Sequence, residues 1–400
     1  MKILVVTQYF YPEDFKVNDA VEHLIKSGYE VRVLTAFPNY PSGSFFDGYR
    51  LFDTYPKHFK GARIYRAPIF PRKRSPISLI LNYLSFPLTA RIYSNKIKKE
   101  FNPDVVLGFQ LSPIWSMLPA VFLRRRFNIP FLLWCLDLWP ESYLSNFSYR
   151  NKIIDGWVRE SSERIYKSAD TLAVTTKSFV ESLAEATGRT SKEIHHLPNW
   201  AEDSYLKPPE DSFSFNNESF NIVFAGNIGE SQGLDIVLKA ARETVDTNIV
   251  WHLFGDGRYE VKLRKEADVF KISNLVFHGR VTMDKLPSIY REANALLLTL
   301  KPNQGYSNTM PGKFAGYLTS GTPILSNIQG EVRKIIESNG LGFTFDNDEK
   351  ELVNQVRELK SMIPVDLEQI KISCRNYYDK HFSKPRVLSD LEKLLIDLKE

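Results

Sequence analysis

A glycine-rich turn in the middle of the chain, GNIG at 226–229, has the composition and position of a phosphate-binding site. It follows a short β-branched and aromatic run that is typical of a buried strand. After Gly233, apolar residues recur at i, i+3, i+4 and i+7, which predicts a helix. A strand, a glycine turn and a helix open a nucleotide-binding α/β domain, in which the helix N-terminus holds phosphate.

Two carboxylates, Asp137 and Glu141, bracket Trp139 at the end of the apolar run 129–136. A run of this kind predicts a strand buried on both faces, so the acids that follow it lie at the carboxyl edge of the sheet. Ligands bind at that edge in open α/β folds. The alternative is a loop carboxylate that caps a helix starting near Tyr149. We favour a functional role for the two carboxylates, because two acids and a tryptophan lie together at one strand end.

The elements around these residues alternate as strand, helix and strand. The composition predicts a strand over 2–7, a helix over about 17–27 and a second strand over 29–36. This βαβ order favours a parallel sheet. The first turn has no G-x-G-x-x-G and the chain has no P-loop sequence. Both absences argue against a dinucleotide oxidoreductase and a P-loop NTPase.

A polar, Pro-containing segment, 201–219, separates two such series of elements. We therefore predict an α/β fold with an N-terminal Rossmann-like domain over 1–203, a linker over 204–219 and a C-terminal Rossmann-like domain over 220–382. The closing helix, 383–400, has a leucine face, and we expect it to pack back toward the N-terminal domain. Two domains of this kind imply a cleft between them.

The bulk composition is that of a soluble globular chain with two cores. The chain has 400 residues, of which 43% are hydrophobic and 25% are charged, and this length exceeds one ordinary core. Cys135 and Cys374 have neither disulfide nor metal-ligand spacing, which favours a reducing cytoplasm. The N-terminal apolar run is too short for a secretory signal, and no window predicts a transmembrane helix.

The net charge of +5 has one main source, a basic region over 57–99 with 11 Lys and Arg and no acid. Its apolar stretch, 75–90, lies between RKR at 72–74 and the cations of 91–99. This pattern is typical of a helix in a membrane interface, where each cation near anionic lipid contributes about 1 kcal/mol. An amphipathic helix packed on the sheet with a solvated basic rim is the alternative, and the two are compatible on different faces. Nucleic acid is disfavoured, because aliphatic rather than stacking aromatic residues separate the cations.

Seven motifs in order resemble those of retaining glycosyltransferases of family 4, and the likeness covers nearly the whole chain. They are QYFYPEDF at 8–15, PNYPSG at 38–43, DLWPES at 137–142, FAGNIGESQGL at 224–234, FGDG at 254–257, HGRVTMDKLPSIY at 278–290 and MPGKFAGYLTSGTPIL at 310–325. Within the family, the chain is most similar to the bacterial surface-polysaccharide group that includes N-acetylfucosamine transferases. The resemblance implies the GT-B fold, in which two Rossmann-like domains with parallel sheets face each other across a cleft.

The resemblance also implies a donor nucleotide held mainly by the second domain. The matching positions are Gly226, Asn227, Gly229, Gln232, Gly255, Arg280, Val281, Asn308, Met310, Pro311, Gly312 and Lys313. Arg280 and Val281 match the place where relatives bind the base. Many relatives hold the diphosphate with an Arg and a Lys where this chain has Asn227 and Gln232. Lys313 matches the lysine of a later P-x-K loop in the family, and we expect it to supply the missing charge.

Two further departures concern glutamates that many relatives carry eight positions apart. The matching positions in this chain are Asn308 and Gly316. The amide of Asn308 can still bond a sugar hydroxyl, whereas Gly316 offers only its backbone. A group from elsewhere must therefore bind the ribose.

A retaining transfer requires stabilisation of the diphosphate that leaves as the sugar gains oxocarbenium character. We predict Lys313 in this role, with Asp137 and Glu141 as candidates to orient the acceptor hydroxyl or take its proton. Relatives often carry a histidine near the start of this segment, where this chain has Cys135-Leu136. The predicted acceptor-binding residues are Glu13, Asn39, Tyr40 and Trp139. We expect no metal and no cofactor besides the nucleotide-sugar donor, which the resemblance makes a UDP-sugar.

The resulting hypothesis is transfer of a sugar, of the N-acetylated amino or deoxyamino type, to an undecaprenyl-diphosphate-linked saccharide in O-antigen, capsule or exopolysaccharide biosynthesis. The enzyme would be cytoplasmic and peripheral on the inner face of the plasma membrane, with the region 57–99 on an anionic surface. One alternative is a nucleotide-sugar epimerase of the same architecture, which would need no acceptor. The other is a non-catalytic membrane-associated scaffold, which the basic region and the missing glutamates favour.

Overall fold

The computed structural model describes residues 1–49, 55–72, 75–146, 151–207, 213–302 and 310–400. It divides into two compact units. The first unit consists of Met1–Pro198 with Val387–Glu400, and the second unit consists of Asn199–Arg386. Each unit contains its own sheet and its own hydrophobic core.

The first unit is built on an eight-stranded sheet. Its strands are β1 (Lys2–Val6), β2 (Glu30–Ala36), β3 (His58–Phe59), β4 (Ala62–Ala67), β5 (Val105–Gln110), β6 (Phe131–Cys135), β7 (Thr171–Val174) and β8 (Ile194–His196). Their order across the sheet is β3-β4-β2-β1-β5-β6-β7-β8, and every neighbouring pair is parallel except β3 with β4. All residues of β5 and β6 are buried, as expected for central parallel strands that are covered on both faces.

In the described part of this unit, six α-helices before residue 199 accompany the strands. They are α1 (Lys16–Lys26), α2 (Pro76–Glu100), α3 (Leu118–Phe127), α4 (Glu141–Asn146), α5 (Lys152–Tyr166) and α6 (Ser178–Thr187). A 3₁₀ turn over Ile114–Met117 follows β5, and α3 begins only at Leu118. The Ser112 hydroxyl, just before this turn, bonds to Asp137. None of the helices in the described part of the chain has the length and apolarity to cross a membrane.

The second unit is built on a six-stranded parallel sheet in the order β11-β10-β9-β12-β13-β14. Its strands are β9 (Phe220–Ala225), β10 (Ile249–Phe254), β11 (Leu275–Gly279), β12 (Ala295–Leu298), β13 (Ile324–Ser326) and β14 (Gly342–Thr344). Its helices are α7 (Asp203–Leu206), α8 (Asp235–Glu243), α9 (Glu260–Val269), α10 (Leu286–Glu292), α11 (Lys313–Ser320), α12 (Glu331–Asn339), α13 (Glu349–Ser361) and α14 (Pro364–His381).

The last helix, α15 (Lys384–Lys399), starts in the second unit and continues as part of the first. Its leucine face, which includes Leu391 and Leu395, is buried. The Glu392 carboxylate contacts His23 Nε2 at 3.0 Å and accepts a hydrogen bond from the Tyr29 hydroxyl at 2.8 Å. The sequence pattern therefore corresponds to a helix whose apolar face packs on the first unit.

The segment treated above as a linker contributes aromatic side chains to the second unit. The ring of Tyr205 stacks on that of Tyr290 at 5.6 Å between centroids. The ring of Phe213 contacts that of Phe254 edge-on at 5.7 Å. Because polar residues surround these two aromatic residues in the sequence, the local pattern does not predict that they pack against the second unit.

The carboxyl ends of β9 and β10 approach each other through their main chains. The Gly226 N–H donates to the Phe254 carbonyl at 2.9 Å, and the Ile228 N–H donates to the Asp256 carbonyl at 2.7 Å. Gly255 has a φ of +124°, and a Cβ there would lie 1.9 Å from the Gly226 carbonyl oxygen. Conformation and contact therefore both exclude a side chain at position 255.

We expect Gly255→Ala to lower the free energy of unfolding by roughly 3 kcal/mol or more, since strain at positive φ costs on the order of 1–3 kcal/mol and the overlap with the Gly226 carbonyl adds to it. Urea unfolding followed by circular dichroism measures the loss. Gly340→Ala is the matched control, because Gly340 also has a positive φ but open space around its Cβ position. That control should lose only about 1 kcal/mol. Equal losses in the two variants would contradict the close approach.

Candidate functional site

The turn 226–229 follows β9, with Gly226 and Asn227 exposed. The Asn227 side chain folds over Gly229, with its Nδ2 atom 2.6 Å from where a Cβ would be. A 3₁₀ turn over Glu230–Gln232 comes next, and Gly233 takes a left-handed conformation before α8 begins. The strand end, the exposed glycine turn and the helix thus occur in the predicted order.

Lys313, the first residue of α11, reaches this turn. Its Nζ atom donates a hydrogen bond to Gln232 Oε1 at 3.0 Å and lies 3.9 Å from the centroid of the Phe224 ring. A Cβ at Gly226 would be 3.2 Å from the same Nζ atom. Three of the positions predicted to bind the donor, 226, 232 and 313, are therefore brought together around one amino group.

Burial lowers the pKa of Lys313 to about 7. Its polar neighbour, Gln232, is neutral, and no carboxylate in the described ranges forms an ion pair with it. An amide dipole and the face of an aromatic ring stabilise a buried ammonium only in part. An anion placed at the glycine turn would supply the missing opposite charge and would raise this pKa.

Three more of the predicted donor-binding residues follow neighbouring strands of the same sheet. Gly255 ends β10 and lies against Gly226. Arg280 is exposed just beyond β11, while Val281 packs against the hydrophobic core. Of the two residues matched to the base site, only Arg280 thus presents its side chain to solvent.

Residues 310–312 lead into α11. Met310 packs against the hydrophobic core, the Pro311 carbonyl accepts a hydrogen bond from the Phe314 N–H at 2.9 Å, and Gly312 is exposed. The open space around Gly312 leaves the N-terminus of α11 accessible. Asn308 lies outside the described residues.

Gly316 is buried inside α11. A Cβ at this position would lie 3.3 Å from a ring carbon of Tyr205. The Tyr205 ring, held by its stacking on Tyr290, thus fills the space that a side chain at position 316 would need. The absence of the family's glutamate here is therefore linked to the packing of α7.

Glu13 is buried in the first unit, with 3% of its surface exposed. Its Oε1 atom accepts hydrogen bonds from the N–H groups of Asn39 at 2.9 Å and Tyr40 at 2.8 Å, and Oε2 accepts from the Phe10 N–H at 3.3 Å. Burial raises the pKa of Glu13 to about 7, and these three hydrogen bonds oppose the rise. The carboxylate connects the loop after β1 to the loop after β2. We predicted that Glu13 contacts the acceptor directly, but in this buried position its carboxylate is bonded to the main chain instead.

Among the other predicted acceptor-binding residues, Tyr40 is exposed, with 41% of its surface accessible, whereas Asn39 and Trp139 are buried. Asn39 Oδ1 accepts a hydrogen bond from the Arg72 N–H at 2.9 Å. The Trp139 indole N–H donates to the Ser112 hydroxyl at 2.9 Å. Asn39 and Trp139 therefore support the edge of the sheet, and Tyr40 forms part of its surface.

Asp137 lies just beyond β6 and is half-buried. Its carboxylate accepts hydrogen bonds from the hydroxyls of Ser112 and Ser142, and its main-chain carbonyl accepts one from Gln110 Nε2 at 2.9 Å. Two serine donors use only part of the acceptor capacity of a carboxylate. Asp137 can therefore still accept a hydrogen bond from an incoming hydroxyl.

Glu141 occupies a different place. It is exposed at the start of α4 and lines a cavity of about 240 Å³ with Arg159, Glu163 and Tyr166. Asp137 is not among the residues that line this cavity. The two acids that bracket Trp139 in the sequence therefore differ in their surroundings.

Two glutamines that the sequence analysis did not single out complete the edge. Gln8 follows β1 and donates to Asn82 Oδ1 at 2.9 Å, and Gln110 ends the adjacent strand β5. Both are buried, and the Oε1 atom of each has no hydrogen-bond partner among the described residues. Strand order reverses at β1, which is where ligands bind in such folds. In the sequence, these two residues are marked only by their position, because each is a glutamine at the end of an apolar run.

Comparison with known proteins finds matches in both units. Residues 16–200 match the family model described as Glycosyl transferase 4-like domain, and residues 219–361 match the one described as Glycosyl transferases group 1. WcaI of Escherichia coli (strain K12), a protein named as a glycosyl transferase of colanic acid biosynthesis, is 23% identical over 338 residues. That alignment covers 80% of this chain and 82% of WcaI.

Solved structures share the fold. Sucrose-phosphate synthase (tll1590) from Thermosynechococcus elongatus gives a TM-score of 0.72 at 14% identity, over 99% of this chain and 98% of that one. Alr3699/HepE of Anabaena, in complex with UDP, gives a TM-score of 0.71 at 12% identity, over 99% and 100%. These likenesses confirm the predicted α/β fold of the GT-B type, with two Rossmann-like domains.

Because of Lys313, the stability of the second unit should increase as the pH rises. Its pKa is about 7 in the folded chain, against 10.5 for an ordinary lysine. The folded state therefore binds fewer protons than the unfolded state between these values. The contribution of Lys313 to the free energy of unfolding should rise with pH across this window by at most ~1.4 kcal/mol per pH unit. Below pH 7 the buried ammonium is charged, and the chain is destabilised most.

Replacement of Lys313 should remove this dependence. We expect the free energy of unfolding of Lys313→Met, relative to that of the wild type, to be higher at about pH 6 than at about pH 9.5. Urea unfolding at the two pH values measures this difference. Lys239→Met, which removes an exposed lysine from α8, is the control and should show no such change. A stability difference between Lys313→Met and the wild type that is the same at both pH values would contradict the buried ammonium.

Proposed function

We propose that this chain, whose two units match glycosyltransferase family models and share the GT-B fold, transfers a sugar from a nucleoside-diphosphate donor to a lipid-linked saccharide with retention of configuration. The second unit binds the donor and the first unit binds the acceptor. The UDP complex of Alr3699/HepE supports uridine as the nucleoside, and the naming of WcaI supports a bacterial surface polysaccharide as the product. The resemblance to the group that includes N-acetylfucosamine transferases is the basis for proposing an N-acetylated amino or deoxyamino sugar.

The position of the Lys313 amino group is the observation that carries the donor assignment. It lies beside Gly226, bonds to Gln232 and forms no ion pair with a carboxylate of the described chain. A charge contact near a helix N-terminus contributes about 0.3–1 kcal/mol. A hydrogen bond to a charged group contributes about 1.5–3 kcal/mol. Lys313 is therefore the main electrostatic partner for a diphosphate at this turn.

In the transfer, the bond between the anomeric carbon and the diphosphate oxygen breaks, and negative charge grows on the leaving group. The protonated Lys313 side chain stabilises that charge where it develops. We propose that this contact, with the N–H groups of the turn, makes the transfer independent of a metal ion. In the first unit, Asp137 accepts a hydrogen bond from the acceptor hydroxyl and orients it, while Ser112 and Ser142 hold the carboxylate. Glu141 lies apart from this contact.

Moving the lysine between two positions tests the donor site. Lys313→Met should lower kcat/KM by at least roughly 100-fold, because the leaving diphosphate loses its cation. Adding Gln232→Lys to that variant should raise its kcat/KM roughly tenfold. The reason is that Gln232 Oε1 lies 3.0 Å from Lys313 Nζ, so a lysine at position 232 returns a positive charge to nearly the same point. Gln232→Lys alone should reduce activity, since it places two cations side by side.

The measurement is release of UDP together with the anomeric configuration of the product by NMR. Lys239→Met is again the control and should leave kcat/KM unchanged. Conversion of the nucleotide sugar without an acceptor would indicate an epimerase instead. Full activity of Lys313→Met would contradict the donor site described above.

We further propose that the first unit lies on an anionic membrane through α2, which has two apolar faces. One face packs into the core through residues that include Phe86 and Ile97. The other face presents an aliphatic stripe to solvent. Its members are Ile77, Ile80, Leu81, Leu84, Leu88 and Ile92, and the most exposed of them, Ile92, has 73% of its surface accessible. A contiguous exposed stripe of this kind marks an interaction surface.

Exposed cations lie on α2 at the end of the stripe, at Arg91, and beyond it, at Lys96 and Lys99. Each cation near anionic lipid contributes about 1 kcal/mol. Of the cluster predicted at 72–74, Lys73 and Arg74 lie outside the described residues, and Arg72 is directed to the Tyr40 ring. An aliphatic stripe with a basic end suits a helix in the interface plane. This placement puts the enzyme on the inner face of the plasma membrane, beside an acceptor such as an undecaprenyl-diphosphate-linked saccharide.

Charged residues in the aliphatic stripe should weaken membrane binding. We expect the double variant Leu88→Asp/Ile92→Asp to bind vesicles of anionic phospholipid at least roughly tenfold more weakly, because it removes two lipid contacts and adds two like charges. Co-sedimentation with vesicles measures this. Val261→Asp/Val269→Asp, at exposed valines of α9, is the matched control. Unchanged binding of the α2 variant, or an equal loss in the control, would contradict the docking face.

A further inference from the structure

Arg72 lies at the carboxyl edge of the first unit's sheet without a carboxylate partner. It is half-buried, and its guanidinium lies 5.7 Å from the centroid of the Tyr40 ring. The polar groups that act most on its charge are the hydroxyls of Tyr9, Tyr83 and Tyr40. No Asp or Glu of the described ranges forms an ion pair with it. Phenols are uncharged at neutral pH, so the positive charge of Arg72 is not neutralised.

Tyr9 provides an O–H group that lacks an acceptor. The side chain is 3% exposed and its ring stacks on that of Phe15 at 5.3 Å. The oxygen of its hydroxyl interacts with the Arg72 guanidinium, and no acceptor for its O–H is found in the described part of the chain. The neighbouring guanidinium can only donate, so it cannot receive the Tyr9 proton. Burial also raises the pKa of Tyr9 and of Tyr83, which keeps both hydroxyls protonated as donors.

The main chain that carries Arg72 is held in place. Its N–H donates to Asn39 Oδ1 at 2.9 Å. Asn39 and Tyr40 in turn donate their N–H groups to the buried Glu13 carboxylate at 2.9 and 2.8 Å. A guanidinium on an anchored main chain, among buried tyrosines, loses little freedom when a ligand binds.

We propose that Arg72 and the hydroxyls of Tyr9 and Tyr83 bind an oxyanion of the acceptor, either a phosphate or a carboxylate. This inference rests on the proposed function, because it specifies the acceptor as acidic. Arginine binds both kinds of group through two parallel N–H···O hydrogen bonds, and the phenols donate to the remaining oxygens. An uncharged saccharide can accept hydrogen bonds from these groups, but it would leave the positive charge of the guanidinium without a counter-anion. The oxyanion is supplied either by the phosphate of a lipid carrier or by an acidic sugar.

Calorimetric titration of the full chain with inorganic pyrophosphate tests the subsite. The wild type should show a site that Arg72→Gln weakens about 10- to 100-fold. Tyr9→Phe, which keeps the ring and removes only the donor, should weaken it about threefold to tenfold. Arg63→Gln is the matched control, since Arg63 also lies over a tyrosine ring but pairs with Glu100. It should leave binding unchanged.

Lys313→Met separates this subsite from the donor site. That variant should keep pyrophosphate binding at the Arg72 subsite and lose it at the donor site. Arg72→Gln should keep binding at the donor site and lose it at the subsite. Failure of one proposal can therefore be told from failure of the other. Displacement of pyrophosphate from the Arg72-dependent site by glucuronate would identify a carboxylate as the natural group, and displacement by methyl phosphate alone would identify a phosphate. Wild-type pyrophosphate binding in Arg72→Gln and Tyr9→Phe would overturn the subsite.

Discussion

The second unit depends on a close approach of two main-chain segments at the ends of β9 and β10. A Cβ at Gly255 would lie 1.9 Å from the Gly226 carbonyl oxygen, and a Cβ at Gly257 would lie 2.2 Å from that of Ile228. With only hydrogens at these positions, the turn after β9 rests on the next loop and its inner N–H groups are bonded there. Side chains at 255 and 257 would displace the turn by more than an ångström. Such a shift would separate Gly226 from Lys313, so the proposed phosphate site depends on this approach.

The charge of the proposed donor site follows from the same geometry. Many relatives have cations where this chain has Asn227 and Gln232, yet Lys313 Nζ lies 3.0 Å from Gln232 Oε1. A second cation at position 232 would repel the first at that separation. The neutral side chain of Gln232 and the buried position of Lys313 are therefore one feature. A single desolvated ammonium interacts more strongly with an anion than an exposed one does, because the local dielectric is lower. The desolvation that lowers the pKa of Lys313 also costs the folded chain stability where the ammonium is charged.

The sequence predicted what local patterns determine. The strand β9, its glycine turn, the helix α8 and the leucine face of α15 follow from periodicity and composition, and motif order indicated Lys313. Contacts between distant residues could not be predicted, such as Lys313 with Gln232 or the filling of the space at Gly316 by Tyr205. Glu13 also shows this limit, because a carboxylate held by three main-chain N–H groups is encoded by the same residue as an exposed one.

Among the described residues at the edge of the first unit's sheet, Asp137 and Arg72 offer an anion and a cation to the proposed acceptor. Glu13 is used inside the protein and Glu141 lies in another cavity, which leaves Asp137. Arg72 supplies the cation, and the charges of both Asp137 and Arg72 act on Tyr83. An acceptor held by an oxyanion at Arg72 and by a hydroxyl at Asp137 is fixed at two points of opposite charge. The reversed orientation would bring the oxyanion to Asp137 and leave Arg72 unpaired, so repulsion would exclude it. The edge can therefore select which hydroxyl of an acidic acceptor is presented for transfer.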